Sequence, residues 1–244
     1  MLEPMVQWIQ SSRNITVLSG AGISTASGLP DFRSRGGIYD NHLNVEAILS
    51  ESYFYSKPKQ FWVYFKEIFQ FEQLEQYKPN PGHHFVRLLE DMGKSVTVVT
   101  QNIDGLHQQA GSSHVLEVHG TLNFACCPKC KRQYDRKHLM QEAIPRCTED
   151  GFILKPEVVL FGGSVKHMEA SFAAAYDADL FIAMGTSLQV SPVNGLPGYA
   201  ARNRNSKMAL INREPTSMDS LFDLVIHADI VDTVEQLQSR LSIS

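Results

Sequence analysis

The sequence predicts an α/β fold: a Rossmann-like, doubly wound parallel sheet with a smaller inserted zinc-binding and helical module. Three observations predict it. Short apolar runs alternate with amphipathic helical stretches along most of the 244 residues, as strands joined by crossover helices do. The first strand-like run, Ile15 to Leu18, turns on Gly20-Ala21-Gly22, and later runs also end in clusters of polar residues. All four cysteines fall between Cys126 and Cys147, where the alternation lapses.

A chain with 43% hydrophobic residues can bury a substantial core. The formal charge of -4 offers no basic stripe to neutralise a phosphate backbone, so no nucleic-acid partner is expected. No basic segment followed by an apolar run opens the chain and no apolar stretch approaches bilayer length, so no membrane partner is expected and a cytoplasmic location is. Four clustered cysteines in a reducing compartment read as a metal site rather than as disulfides.

Taken in order, Leu2, Met5, Val6 and Ile9 repeat at helical spacing and predict an N-terminal helix leading into the strand Ile15 to Leu18. The glycine turn and a run of small residues follow, where a helix N-terminus would point free N–H groups at an anion. Gly36-Gly37 suggests a mobile loop over Ser34 to Tyr39. Residues 40–79 read as a helical insert whose Phe61, Phe65, Ile68 and Phe69 share one face of a segment begun by Pro58, a pattern expected of core. Asn80-Pro81 caps a helix carrying Phe85, Leu88, Leu89 and Met92, which stops at Gly93 before the strand Ser95 to Thr100.

A short strand from Val115 to Val118 ends in His119-Gly120. Residues 121–156 form the cysteine-bearing module, after which Val158 to Phe161 resumes the strand pattern. A helix near Lys166 to Tyr176, the strand Leu180 to Met184, a helix around Gly195 to Arg204, strands at Met208 to Asn212 and Leu224 to His227, and a helix from Asp232 complete the pattern. The Rossmann-like core of a single domain is thus 1–39, 80–120 and 157–244. His42, His83, His114, His138, His167 and His227 read as structural histidines.

The chemistry sits at the strand ends. Gly20-Ala21-Gly22 is a phosphate turn, but Thr25 stands where a dinucleotide fingerprint wants a third glycine. Gly28-Leu-Pro-Asp-Phe-Arg33 sets an acid, an aromatic ring and a guanidinium beside it. Thr100-Gln-Asn-Ile-Asp-Gly-Leu-His107 crowds polar groups at the carboxyl end of an apolar strand, where open parallel sheets bind ligands. Together with His119-Gly120 and Gly185-Thr186-Ser187, these motifs resemble the sirtuins, the NAD-dependent protein-lysine deacylases, most of all the bacterial members. The likeness runs in order along almost the whole chain.

That resemblance implies NAD as cofactor and acylated-lysine proteins or peptides as partners. The acyl group passes to ADP-ribose as nicotinamide leaves. Gly20, Ala21, Gly22 and Thr25 are then expected along the dinucleotide path, and Asp31, Phe32 and Arg33 as the wall of a site that splits NAD, with Phe32 shielding the ribose from water. Gln101 is expected on the ribose, Ile103 and Asp104 on the nicotinamide carboxamide, and Gly185, Thr186, Ser187, Asn212 and Ile230 around the adenosine. His119 is the expected general base, taking a proton from a ribose hydroxyl, with Asn102 orienting ribose or water. Peptides are expected between Val158 to Gly162 and Leu188 to Pro192, with Gly163 where the family commonly has a glutamate. Two other readings are transfer of ADP-ribose to a protein side chain and a non-catalytic NAD-binding adaptor.

Cys127-x-x-Cys130 is the first half of a structural zinc site. The second half has Cys147, but Asp150 stands where a cysteine is expected. Zinc on Cys127, Cys130 and Cys147 with an open fourth position is expected first; Asp150 supplies an oxygen there, Cys126 swings in, or zinc is bound weakly or not at all.

Overall fold

In the computed structural model, residues 2–30 and 44–242 are described. Helix α1 (Glu3–Ser11) leads into β1 (Asn14–Ser19). Helices α2 (Val45–Ile48), α3 (Glu51–Ser56) and α4 (Pro58–Ile68) precede α5 (Pro81–Asp91) and β2 (Ser95–Thr100). The short α6 (Leu106–Gln109) and β3 (Val115–Glu117) follow, then β4 (Gly120–Cys126), β5 (Gln133–Asp135), α7 (Arg136–Gln141) and β6 (Lys155–Val158). The chain returns through α8 (Met168–Asp177), β7 (Leu180–Met184), α9 (Leu196–Ala200), β8 (Lys207–Ile211), β9 (Leu224–Ile226) and α10 (Ile230–Leu241).

Six strands form one parallel sheet in the order β3-β2-β1-β7-β8-β9. Both faces are covered, so the strands read as continuous apolar runs rather than as alternating ones. Ile15 and Val17 of β1 pack with Met5, Val6 and Ile9 of α1, with α5 and with α10. Leu18 faces the other way, in the layer that holds Ala175 of α8 and Leu196 and Ala200 of α9. Two helix starts are fixed by caps that the sequence carries. Asn80 Oδ1 accepts from Gly82 N while Asn80 N donates to His83 Nδ1, and Asp229 Oδ1 accepts from Val231 N and Asp232 N.

The order of strands reverses between β1 and β7, because the chain builds outward through β2 and β3 before it returns to the other side of β1. A crevice at the carboxyl ends follows from that topology.

The remaining strands make a separate antiparallel sheet, β5-β4-β6. Phe61, Trp62 and Phe65 of α4 are fully buried against Leu122, Tyr134, Leu139, Leu154 and the thiols Cys127 and Cys147. The helical and cysteine-bearing segments therefore share one core. Each buried aromatic contributes about 1.5–3 kcal/mol, which a three-stranded sheet needs to stay folded.

Several elements differ from the sequence reading. No α-helix follows the glycine turn; two 3-10 turns, Ala21–Ile23 and Thr25–Ser27, run to Gly28 in a left-handed conformation, φ 91°. The run Val158 to Phe161 does not resume the main sheet, because β6 ends at Val158 and pairs with β4. The helix expected over Gly195 to Arg204 is only Leu196–Ala200. The loop at Ser34 to Tyr39 lies outside the described residues.

Candidate active site

The turns after β1 and β7 touch each other. Gly22 N donates to Gly185 O at 2.9 Å and Gly20 N to Met184 O at 3.1 Å. A Cβ on Gly20 would lie 2.8 Å from Gly185 O, and one on Gly22 2.8 Å from Gly185 Cα. Gly185 itself has φ 61° and backs onto Ile23 N. The glycines thus let two strand-end turns close on one another, which sets the backbone edge of the crevice.

A cavity of about 690 Å³ opens from this edge. Ala21, Gly22, Thr25, Gln101, Asn102, Ile103, His119, Gly185, Thr186, Ser187, Asn212 and Ile230 all line it. The stretch Val158 to Gly162 lines its other wall, with Gly163 and with Val190 and Ser191. Gly20 is not on its surface. Asp104 lines an adjoining cavity of about 50 Å³ with Ser24, Leu29 and Pro30, and this shares Ala21, Asn102 and Ile103 with the larger one. Asp31, Phe32 and Arg33, expected as a wall, lie outside the described residues.

His119 follows the last residue of the parallel sheet's edge strand β3 by two positions, and Gly120 turns the chain into β4 with φ 79°. A Cβ at Gly120 would overlap Glu157 O, so a side chain there would push β6 away from β4. His119 Nδ1 lies 3.0 Å from Gln101 O. A carbonyl oxygen only accepts, so Nδ1 carries the hydrogen and Nε2 is left as the basic nitrogen. Burial lowers the His119 pKa below its ordinary value of 6.5, against a smaller upward pull from the Gln101 carbonyl. The ring is therefore neutral at neutral pH.

Beneath the turn, Ser24 is the centre of a buried network. Its Oγ donates to Asp104 Oδ2 at 2.8 Å and accepts from Asn102 Nδ2 at 3.0 Å. With that proton committed, His83 Nε2, at 3.4 Å, is the donor to Ser24 Oγ, consistent with His83 Nδ1 accepting from Asn80 N. Asp104 Oδ1 accepts from Leu106 N at 2.9 Å. Burial raises the Asp104 pKa, and these hydrogen bonds oppose the rise. His107 reaches the same layer: Ser19 Oγ donates to Thr100 Oγ1, so His107 Nε2 donates to Ser19 Oγ at 2.9 Å. Burial pushes His83 down to about 3 and His107 down to about 4.

Sequence reasoning quoted Ser24 without giving it a role, left His107 unassigned and took His83 as structural. The signal for Ser24 was its place four residues after Gly20. Nothing in the local sequence of His83 or His107 could show that their rings meet at 5.0 Å. Gln101 Nε2 is buried with no partner among the described residues, a donor that a polar ligand in the cavity would satisfy.

The ligating atoms of Cys127, Cys130, Cys147 and Asp150 all lie within 4.8 Å of one another. Cys130 Sγ is 3.6 Å from Cys147 Sγ, and Cys127 Sγ is 3.5 Å from each Asp150 oxygen. A zinc–sulfur bond of about 2.3 Å puts the edges of a tetrahedron at about 3.8 Å, so the set has the size zinc requires. Asp150 completes a set of four donors that fits zinc. Cys126 lies outside this set, since its thiol turns to Lys131 O at 3.5 Å. Tyr134 Oη, at 3.1 Å, donates to Cys147 Sγ from a buried position.

Among the described residues no helix is long and apolar enough to cross a membrane. The model of the Sir2 family matches residues 20–192. An "NAD-dependent protein deacetylase 2" of Geobacillus kaustophilus is 49% identical over 241 residues, covering 98% of each chain. An "NAD-dependent protein deacetylase" of Bacillus subtilis is 43% identical, covering 97% of this chain and 98% of its own. Among solved structures, "Sir2-p53 peptide-NAD+" superposes with a TM-score of 0.87 at 33% identity, covering 100% of both chains. A Sir2 mutant with a deacetylated p53 peptide and 3'-o-acetyl ADP ribose superposes with a TM-score of 0.88 at 32% identity, covering 98% of both.

Proposed function

The chain belongs to the Sir2 family, and from that membership we propose how its residues divide the work of an NAD-dependent protein-lysine deacylase. The single observation that carries the reading is the free Nε2 of a neutral His119 in a cavity that also holds the glycine turns and the 101–103 run.

NAD supplies the ribosyl bond that is broken as nicotinamide leaves and the ribose that receives the acyl group. Ala21, Gly22, Thr25 and Gly185 line its phosphates, with Gly20 shaping the turn behind them, Gln101 donates to the ribose through Nε2, and Ile103 and Asp104 hold the carboxamide. Asp31, Phe32 and Arg33, which match the family's motif, act at the bond of NAD that is split, Phe32 shielding the ribose from water. Thr186, Ser187, Asn212 and Ile230 hold the adenosine. His119 Nε2 accepts a ribose hydroxyl proton, and Asn102, fixed by Ser24, orients the hydroxyl or water beside it. A positioned base of this kind contributes about 10² to 10⁴-fold in rate.

The acyl-lysine segment lies between Val158 to Gly162 and Leu188 to Pro192, paired through main-chain groups and so tolerant of sequence. Residues 1–39, 80–120 and 157–244 act as the dinucleotide-binding core, with 40–79 and 121–156 as inserts. Cys127, Cys130, Cys147 and Asp150 would hold a structural zinc, which would fix the module that β4 ties to His119. We place the protein in the cytoplasm, where thiol ligands stay reduced.

Nicotinamide release from NAD with acetyl-lysine and longer acyl-lysine peptides tests the reading. Release that requires the acyl peptide supports it. No release with any acyl peptide, or radiolabel from NAD left on protein, contradicts it.

A further inference from the structure

The stretch on the peptide side of the cavity is a loop tied at both ends to the backbone around His119. It leaves β6 at Val158, lines the cavity with Val158 to Gly163 and with Val165, and returns at Lys166. Val159 N donates to His119 O at 2.8 Å, and Lys166 N donates to Val118 O at 2.9 Å. The two ends of the loop thus hang from consecutive residues, and one of these is His119.

The side chain of Lys166 closes the mouth of this loop. Its Nζ donates to Glu157 Oε2 at 2.8 Å and to Glu157 O at 3.3 Å, so it holds both the carboxylate and the backbone of the residue before the loop. Glu157 is fixed from two further sides. Gln133 Nε2 of β5 donates to its Oε1 at 3.4 Å, and its carbonyl lies against Gly120, where a Cβ would overlap it. The hydrogen bond from Lys166 holds the Glu157 carboxyl below the usual carboxylate range, so the acid is charged at neutral pH.

We propose that Lys166 is a positioning residue for the acyl-lysine peptide: its ion pair with Glu157 keeps the 158–165 loop closed at its base and in register with His119. The inference rests on the reading that the peptide lies against Val158 to Gly162. A loop that is already ordered costs less freedom when the peptide binds, so the pair acts on peptide affinity rather than on the chemistry or on NAD. The Lys166 and Glu157 side chains are 38% and 23% exposed, so added salt weakens the pair without removing it.

Steady-state deacetylation of an acetyl-lysine peptide at saturating NAD, with calorimetric ADP-ribose binding alongside, tests the proposal. Lys166→Met keeps the aliphatic stem and removes the charge. Its peptide KM should rise about three- to tenfold, the scale of one partly screened charge-assisted contact, while kcat stays within about twofold and ADP-ribose affinity is unchanged. Lys166→Arg should return the peptide KM to within about twofold of the wild type. Glu157→Gln keeps the shape of the acid and should raise the peptide KM in the same way, which reports on the pair even if Lys166→Met fails to fold. Combining the two substitutions should add little, because both remove the same contact. In a wild type that deacetylates the peptide, an unaltered peptide KM in both single variants, a loss confined to kcat, or single effects that multiply in the double variant overturns the proposal alone. A wild type that turns over no acyl peptide removes the peptide reading and the proposal with it.

Discussion

The Nδ1 of His119 hydrogen-bonds the backbone carbonyl of Gln101 at 3.0 Å, so the residue before Asn102 decides which nitrogen of His119 is basic. The tautomer is set by main chain rather than by an acid. His119→Ala should lower deacylation by about 10² to 10⁴-fold while calorimetric NAD binding changes little. Activity within tenfold of the wild type would remove His119 as the base.

The same enclosure shapes the pH profile. Since burial lowers the His119 pKa below 6.5, Nε2 stays unprotonated until the solution is more acidic than a free imidazole requires. The acid limb of kcat/KM should therefore have its midpoint below 6.5. A midpoint at or above that value would show that the buried environment does not act on the base.

Stability should also depend on pH through the two buried histidines. Folded His83 and His107 titrate at about 3 and about 4, against an ordinary value of 6.5. Between 6.5 and 4 the unfolded chain binds protons that the folded chain refuses, so stability is fully present above 6.5 and falls as the pH falls. The loss down to pH 4.5 should approach about 5 kcal/mol for the two histidines together, read from urea midpoints. His107→Gln should make that decline shallower, and an unaltered slope would mean that His107 does not titrate in the unfolded chain alone.

Metal retention tests the mixed donor set. Tyr134→Phe keeps the ring in its core but removes the hydroxyl from Cys147 Sγ, and should weaken zinc by about 10–100-fold in competition with a chelating dye. Asp150→Cys should slow zinc release, and Asp150→Ala should speed it. Because Cys127 and Cys147 are in the same core as Trp62 and Phe65, chelation should also lower the melting temperature. Zinc release at the same rate from all four proteins would exclude Asp150 and Tyr134 from the site.

The parallel sheet was legible because β1, β2 and β7 are buried on both faces and read as plain apolar runs. The strand ends were legible too, because Gly20, Gly185 and the 101–104 run are local signals. Val158 to Phe161 was misread because the strand here, Lys155–Val158, pairs with β4 in a second sheet, a pairing that no local pattern encodes. The missing helix after Gly22 reflects a turn held by Gly185 from a distant strand, a tertiary contact that overrides local propensity. The Ser24 network was invisible for the same reason, since its partners come from two distant segments, His83 from α5 and Asn102 and Asp104 from the run after β2. Asp150 could be seen as an irregularity in the cysteine pattern, but only its 3.5 Å distance to Cys127 Sγ makes it a donor.

The fate of the acyl group tests the central claim most directly. Mass spectrometry of the products from an acetyl-lysine peptide and NAD should find deacetylated peptide, nicotinamide and acetylated ADP-ribose in equal amounts. Free acetate as the first product, or ADP-ribose attached to protein, would contradict the account.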